Sequence, residues 1–266
     1  MALSIPHILI DGVTSTDTDF LVAQSPKQRL LADARITRWY AARDEDVTKS
    51  GTDATKITHF IDRRKVANAA TPGSDAARPA LTTLATYGGR KAASFIDNAR
   101  DRSALVTDLD LTGTFFIAIL AAKSITGAEV LFEQLGGSGQ VSIKGATSGL
   151  AGNPSLIQFF RGTSGINVQT GALSLDTAPH LFFGCYNGAV QGAFGRGATV
   201  SAAPTGSPPA AGSPARIGRS PSGTPSYFGG SIGQVIIGNV NIFHADNADL
   251  RELICQYIEG FYGLTV

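Results

Sequence analysis

The sequence predicts a mainly β fold: two antiparallel sheets packed as a sandwich, with a short N-terminal helix and a C-terminal amphipathic helix. Three observations carry this. The chain holds 31 glycines and 12 prolines in 266 residues, which implies many turns. From Leu111 onward, short apolar segments alternate with glycine-rich or Asn-Gly turns. One long helical stripe of apolar residues closes the chain.

In order, Ser4 to Ile10 is a short strand ending at Asp11-Gly12, followed by a Thr/Asp-rich connector. Ser25-Pro26 predicts a helix start, with Ser as N-cap and Pro at the first helical position, and a helix over Lys27 to Ala34. The continuous run Phe115 to Leu120 predicts a strand buried on both faces. Glu129 to Leu135 and Gln140 to Lys144 flank the turn Gly136-Gly137-Ser138-Gly139. Ser155 to Arg161 and Ile166 to Gln169 flank Gly162 to Gly165 as a second hairpin. His180 to Tyr186 is a strand closed by Asn187-Gly188, a dipeptide suited to a type I′ turn.

Residues 201–230 contain six of the twelve prolines, so a long loop is expected over Ala203 to Pro214. A short strand at Arg216 to Gly218 interrupts it, and Ser231 to Phe243 supplies one or two more. In the closing helix Leu250, Leu253, Ile254, Tyr257, Ile258 and Phe261 form one stripe; Asp246 is its expected cap, Gly260 and Gly263 its stop signals.

Twenty-two basic and 21 acidic residues give a formal charge of +1, so nothing electrostatic points to nucleic acid or an anionic membrane. The longest apolar run, Phe115 to Ala122, is far short of the roughly 20 residues of a membrane span. The N-terminus lacks a basic stretch before its apolar residues, so no signal peptide is expected. A soluble protein folded in a reducing cytoplasm follows, with Cys185 and Cys255 as free thiols.

Motifs with catalytic or ligating potential each have a plainer reading. Gly229-Gly230-Ser231-Ile232-Gly233 matches G-x-S-x-G, but the next residues are strand-like where a nucleophile elbow needs a helix. Asp44-Glu45-Asp46 and Asp108-Leu109-Asp110 are the dense acidic clusters, and both read as solvated turns. His7, His59, His180 and His244 share no ligand spacing. Asp97, Asn98 and Asp101 could offer oxygens to Ca²⁺, although a turn is the simpler reading. Arg63-Arg64-Lys65 is too short for a nucleic-acid groove, and Trp39 reads as core. The sequence therefore predicts no catalytic residue, no cofactor and no metal.

Several stretches taken together resemble a known arrangement. They are Arg38-Trp39-Tyr40, Phe60-Ile61-Asp62, Arg78-Pro79, Lys91 to Asp97, Ala215-Arg216-Ile217-Gly218 and Phe228 to Ile237, followed by the closing helix. In this order, over residues 36–266, they resemble the laminin-G-like, concanavalin A-like lectin/glucanase superfamily, as found in bacteriophage virion proteins. Phe60 stands where that pattern has Trp, Ala41 where it has Asp, and Gln234 where it has an acid. These departures bear on an inherited metal or sugar site rather than on the fold.

The resemblance implies a jelly-roll sandwich over residues 36–266, preceded by a 1–35 extension. It implies a non-enzymatic structural protein of the virion (decoration, head fibre or tail component), folded in the host cytoplasm. Its partners would be other virion proteins, copies of itself and, through adhesion, a host-surface glycan. The alternative is a glycan-binding lectin module. Tyr186, Asn187, Tyr227 and Phe228 are the candidate glycan or partner contacts. Ile5, Ile8, Leu9, Ile10, Phe20 and Leu21 are the candidate assembly arm, pairing with a neighbour by strand addition.

Overall fold

The computed structural model describes residues 24–95, 102–123, 130–136, 139–145, 156–162, 168–174, 177–203, 207–220 and 228–266. The arm residues Ile5 to Leu21, the Asp97-Asn98-Asp101 cluster and Tyr227 lie outside them.

Helix α1 (Pro26–Ala32) begins with a complete capping box. Gln28 N donates to Ser25 Oγ at 3.3 Å, and Ser25 N donates back to Gln28 Oε1 at 2.9 Å. The helix stops two residues before the expected end. Asp33 leaves helical geometry and its carboxylate takes the Arg35 amide at 2.9 Å, which turns the chain toward the first strand.

The strands in the first half are β1 (Ile36–Ala41), β2 (Val47–Lys49), β3 (Ile57–Phe60), β4 (Ala69–Ala70), β5 (Ala80–Leu84), β6 (Arg90–Ser94) and β7 (Ala104–Val106). Next come β8 (Phe115–Lys123), β9 (Val130–Gly136), β10 (Gly139–Gly145), β11 (Leu156–Arg161) and β12 (Val168–Ser174). The last are β13 (His180–Tyr186), β14 (Val190–Phe194), β15 (Val200–Ala202), β16 (Ala215–Ile217) and β17 (Gly230–Gly238), before helix α2 (Ala248–Tyr262). Among the described residues they form two antiparallel sheets. The first runs β15-β14-β13-β8-β17-β6-β5, with β1 beside β6 on the same edge of β17. The second runs β12-β11-β10-β9-β16-β7-β4-β3-β2. The two-sheet antiparallel sandwich with a C-terminal helix is therefore the fold.

Strand β8 shows why the apolar run at Phe115 is continuous. Phe115, Ile117, Ile119 and Ala121 enter the core between the sheets. Phe116, Ala118, Leu120 and Ala122 enter a second core, between the first sheet and the helices. From α2, Leu250, Leu253, Ile254, Cys255, Tyr257 and Ile258 fill that second core, joined by Leu30 of α1. The molecule thus has three layers: helices, first sheet, second sheet.

Local details differ from expectation in three places. The β13–β14 connection holds three residues, because Tyr186 pairs with Val190. Only Gly188 adopts positive φ (100°), and the Asn187 side chain accepts the Ala189 amide at 3.1 Å, so no type I′ turn forms. Gly260 lies inside α2, and Gly263, in the left-handed region, ends it. Asp246 does not cap α2; it sits in a preceding 3₁₀ turn, and Asn247 holds the cap position. Ser231 to Phe243 contains one strand, the lower of the two expected counts.

Candidate functional site

The stretches that carry the resemblance are structural supports. Asp62, fully buried, accepts the amides of Trp39 (3.1 Å), Arg64 (2.9 Å), Val66 and Ala67 (both 3.3 Å), so one carboxylate shapes the loop after β3. Tyr40 Oη donates to Ala67 O at 2.9 Å and closes the same loop. Trp39 is buried, with its indole N–H on Gln234 Oε1 at 2.7 Å and Tyr257 edge-on at 5.1 Å. The single Trp is core, as its sequence context predicts.

Ser231 is equally structural. It is buried in β17, donates to Tyr87 Oη at 3.3 Å, and is followed by strand. Glycine at 233 leaves room for Tyr87 and Tyr262; a Cβ there would meet the Tyr87 ring and the Tyr262 hydroxyl, each at 2.9 Å. The G-x-S-x-G match therefore reflects close packing. The acidic clusters are turns, the first ion-paired and the second held by a neighbouring threonine. Asp44 takes Lys49 and Lys91 at 2.6 and 2.7 Å, and Asp46 takes Arg63 at 3.2 Å. Asp110 accepts the amide and hydroxyl of Thr112 at 2.9 and 2.7 Å. Hydrogen bonds from cationic or hydroxyl donors hold both Asp44 and Asp110 below the usual carboxylate range. Among the described residues no group of three or more His, Cys, Asp or Glu side chains could hold a metal ion.

Of the candidate contact residues, Tyr186, Asn187 and Phe228 are described. Phe228 is 1% exposed and packs against Phe95 at 6.3 Å, so it presents no platform. Tyr186 is half-buried; Arg161 lies 3.7 Å over its ring and Phe115 stacks on it at 6.1 Å. A ring engaged in this way has little free face for a sugar. Asn187 is exposed at the neighbouring turn.

The structure offers a different site, on the outer face of the second sheet. Residues of β4, β7 and β16 alternate strictly. Ala69, Ala104, Val106, Ala215 and Ile217 point into the core, while Ala70, Leu105 and Arg216 face outward in register. A cavity of about 390 Å³ opens there. Ala70 and Leu105 line its floor, Thr71, Pro72, Ser74 and Ala77 one wall, and Arg216 and Arg219 the other side. That volume lies within the range of small-molecule sites.

Two arginines give this site its shape. Arg216 is anchored by Nη1 donating to Ser103 Oγ at 3.0 Å. Arg78, half of the Arg-Pro motif, braces the wall from behind: Nε donates to Pro72 O at 2.8 Å and Nη1 to Asp75 Oδ1 at 2.5 Å. Directly opposite Arg216 on the neighbouring strand β9, Glu133 is buried, held by Lys144 at 2.8 Å, Ser142 at 3.0 Å and Ser220. Sequence reasoning saw Arg216 only as part of a motif. The signal was there: an Arg between Ala215 and Ile217, alternating apolar residues, must point out of the sandwich. Nothing local in the sequence ties it to Thr71 or Ser74, which reach the same cavity from β4 and its following loop.

No protein-family model matches the sequence, and no curated protein matches it. Solved structures do resemble it in fold. Domain 4 of AbnA, a GH43 extracellular arabinanase from Geobacillus stearothermophilus, in complex with arabinotriose, superposes with a TM-score of 0.58 at 14% identity, over 83% of this chain and 98% of that one. The Trypanosoma rangeli sialidase in complex with sialic acid gives 0.53 at 11% identity, over 83% of this chain. A mutant of the same sialidase displaying trans-sialidase activity gives 0.56 at 10% identity. This chain spans about a third of the sialidase's length. At such identities the likeness shows the fold alone, and that fold is the concanavalin A-like jelly-roll sandwich.

Proposed function

We propose that this chain is a non-enzymatic recognition module that binds carbohydrate in the pocket on the outer face of its second sheet. The carrying observation is the pocket itself. It lies on the sheet face opposite the helical layer, and its wall is braced by Arg78 through Pro72 and Asp75. Rigid sites of this kind lose little entropy when a ligand binds. Among the described residues the lining holds no carboxylate, which favours binding over glycoside hydrolysis, a reaction that uses two facing carboxyl groups. That a structure of like fold was solved in complex with arabinotriose agrees with this reading.

The sequence resemblance adds a setting. A virion component made in the host cytoplasm, assembled with copies of itself and other virion proteins, would use such a pocket to hold a host-surface glycan. Affinity electrophoresis through gels containing different polysaccharides tests the binding. We expect retardation by at least one of them, and its loss when Leu105→Trp fills the cavity floor. Migration unchanged by every polysaccharide defeats the reading, as does retardation that Leu105→Trp leaves intact.

A further inference from the structure

We propose that Arg161 anchors a carboxylate ligand at one end of the sandwich, at a site separate from the pocket on the second sheet. Three elements meet there. Arg161 is the last residue of β11 in the second sheet, Tyr186 the last of β13 in the first, and Thr112 lies in the segment that enters β8. The Arg161 guanidinium lies 3.7 Å over the Tyr186 ring, and its Nη2 donates to Thr112 O at 3.0 Å. Arg161 is 8% exposed.

This cation has no charge partner among the described residues. Arg38, Arg43, Arg63 and Arg78 are also deeply set, and each has a carboxylate oxygen within 3.8 Å. Arg251 is held instead by three hydrogen bonds to the carbonyls of Gly195 and Gly197. Arg161 has one carbonyl, and its Nε is buried without a hydrogen bond. Asp110, two residues before Thr112, bonds to the Thr112 amide and hydroxyl rather than to Arg161. Burial accordingly lowers the Arg161 pKa, opposed by the Tyr186 phenol. A buried charge without a counter-charge is costly, and such departures from consistent packing concentrate at functional sites.

The missing group is a carboxylate for two reasons. A guanidinium presents its donors as a planar fork that matches the two oxygens of a carboxylate. The slight exposure of Arg161 admits one small group, not a sugar ring or a peptide face. The Tyr186 ring is covered by Arg161 and Phe115, so the rest of the ligand finds no stacking surface and stays outside. Asn187, exposed on the adjoining turn, adds an amide donor at the rim. The carboxylate can be borne by a free organic acid or by an acidic sugar.

Isothermal titration calorimetry on the intact chain tests this with citrate, galacturonate, galactose and sulfate at constant ionic strength. Citrate and galacturonate should bind and galactose should not. The tighter of the two acids identifies the source of the carboxylate. Arg161→Gln should weaken binding at least about tenfold, the equivalent of one charge-assisted hydrogen-bonding partner. Leu105→Trp, which fills the pocket on the second sheet, should leave it unchanged. Arg161→Met, a second variant that keeps the apolar stem, should also lose the acid. Without ligand its thermal midpoint should equal or exceed that of the unaltered chain, because it removes an unpaired buried charge. A lower midpoint in Arg161→Met, with neither acid bound by the unaltered chain, means that Arg161 only plugs the end of the sandwich and overturns the site. Acid binding that Arg161→Gln leaves intact overturns it too, and tighter binding of sulfate overturns the carboxylate. Acid binding lost in Leu105→Trp but kept in Arg161→Gln moves the ligand to the pocket, which overturns this site and leaves the pocket reading standing.

Discussion

Gln234 is bonded at both ends of its amide, and this explains why an amide stands where the resembling sequences have an acid. Its Oε1 accepts the Trp39 indole at 2.7 Å, and its Nε2 donates to Tyr262 Oη at 2.9 Å. Tyr262 spends its own proton on Gly233 O at 3.2 Å. An ionised glutamate offers acceptors only, so Tyr262 would have to withdraw from Gly233. The carboxylate would also be buried, since Gln234 is 1% exposed. Gln234→Glu should therefore cost about 3–5 kcal/mol at neutral pH, the range for an uncompensated buried charge. Burial raises the new carboxyl's pKa, so the penalty should shrink as pH falls below that value and return as pH rises through it. Urea unfolding at pH 5 and pH 8 measures this. An equal cost at both values would mean that charge is not the cause.

At the scale of elements, helix α2 holds the helical layer to the first sheet. Leu253 is 4% exposed and packs in the core shared with Phe116, Leu181 and Phe183. Leu253→Ala should cost about 2–5 kcal/mol in chemical denaturation, as for other large-to-small core changes. A cost under about 0.5 kcal/mol would be that of a surface residue and would detach α2 from the core. The helix was legible because its stripe has a single period and one partner face. Strands β8 to β13 were legible for a similar reason: each is long enough to show an apolar run beside a clear turn. Strands β2, β4 and β7 were not read as elements, since two or three residues cannot display a period. The candidate site suffered most from this. Its residues come from β4, β7, β16 and two connecting loops, and only the sheet order makes them neighbours. Phe228 and Tyr186 are aromatic residues beside turns, yet residue type alone does not show that both turn toward the core between the sheets.

For the whole molecule, the three-layer build concentrates groups that resist ionisation. Cys185 on β13 and Cys255 on α2 are free, buried thiols in the core between helices and first sheet. Burial pushes Cys185 up to about 12 and Cys255 up to about 11. Tyr87 and Tyr262, in the same layer, are also raised by burial, as is Tyr40 between the sheets. In the unfolded chain the thiols ionise near pH 9 and the phenols near 10. The folded form therefore keeps its full advantage below pH 9. Above it, the unfolded chain releases protons that the folded one retains, so stability falls as pH rises toward the folded values. The slope is roughly 1 kcal/mol per pH unit for each thiol, with the tyrosines adding above pH 10. Because most of these groups sit in one layer, alkaline unfolding should begin with α2 leaving the first sheet. Two measurements check this together. Urea midpoints should be level from pH 7 to 9 and then decline, and alkylation of Cys185 and Cys255 should track that decline rather than precede it. Rapid alkylation at pH 8 in the folded state would show that water reaches the helical layer freely, and a stability profile flat to pH 11 would show that these groups are not what limits the fold in alkali.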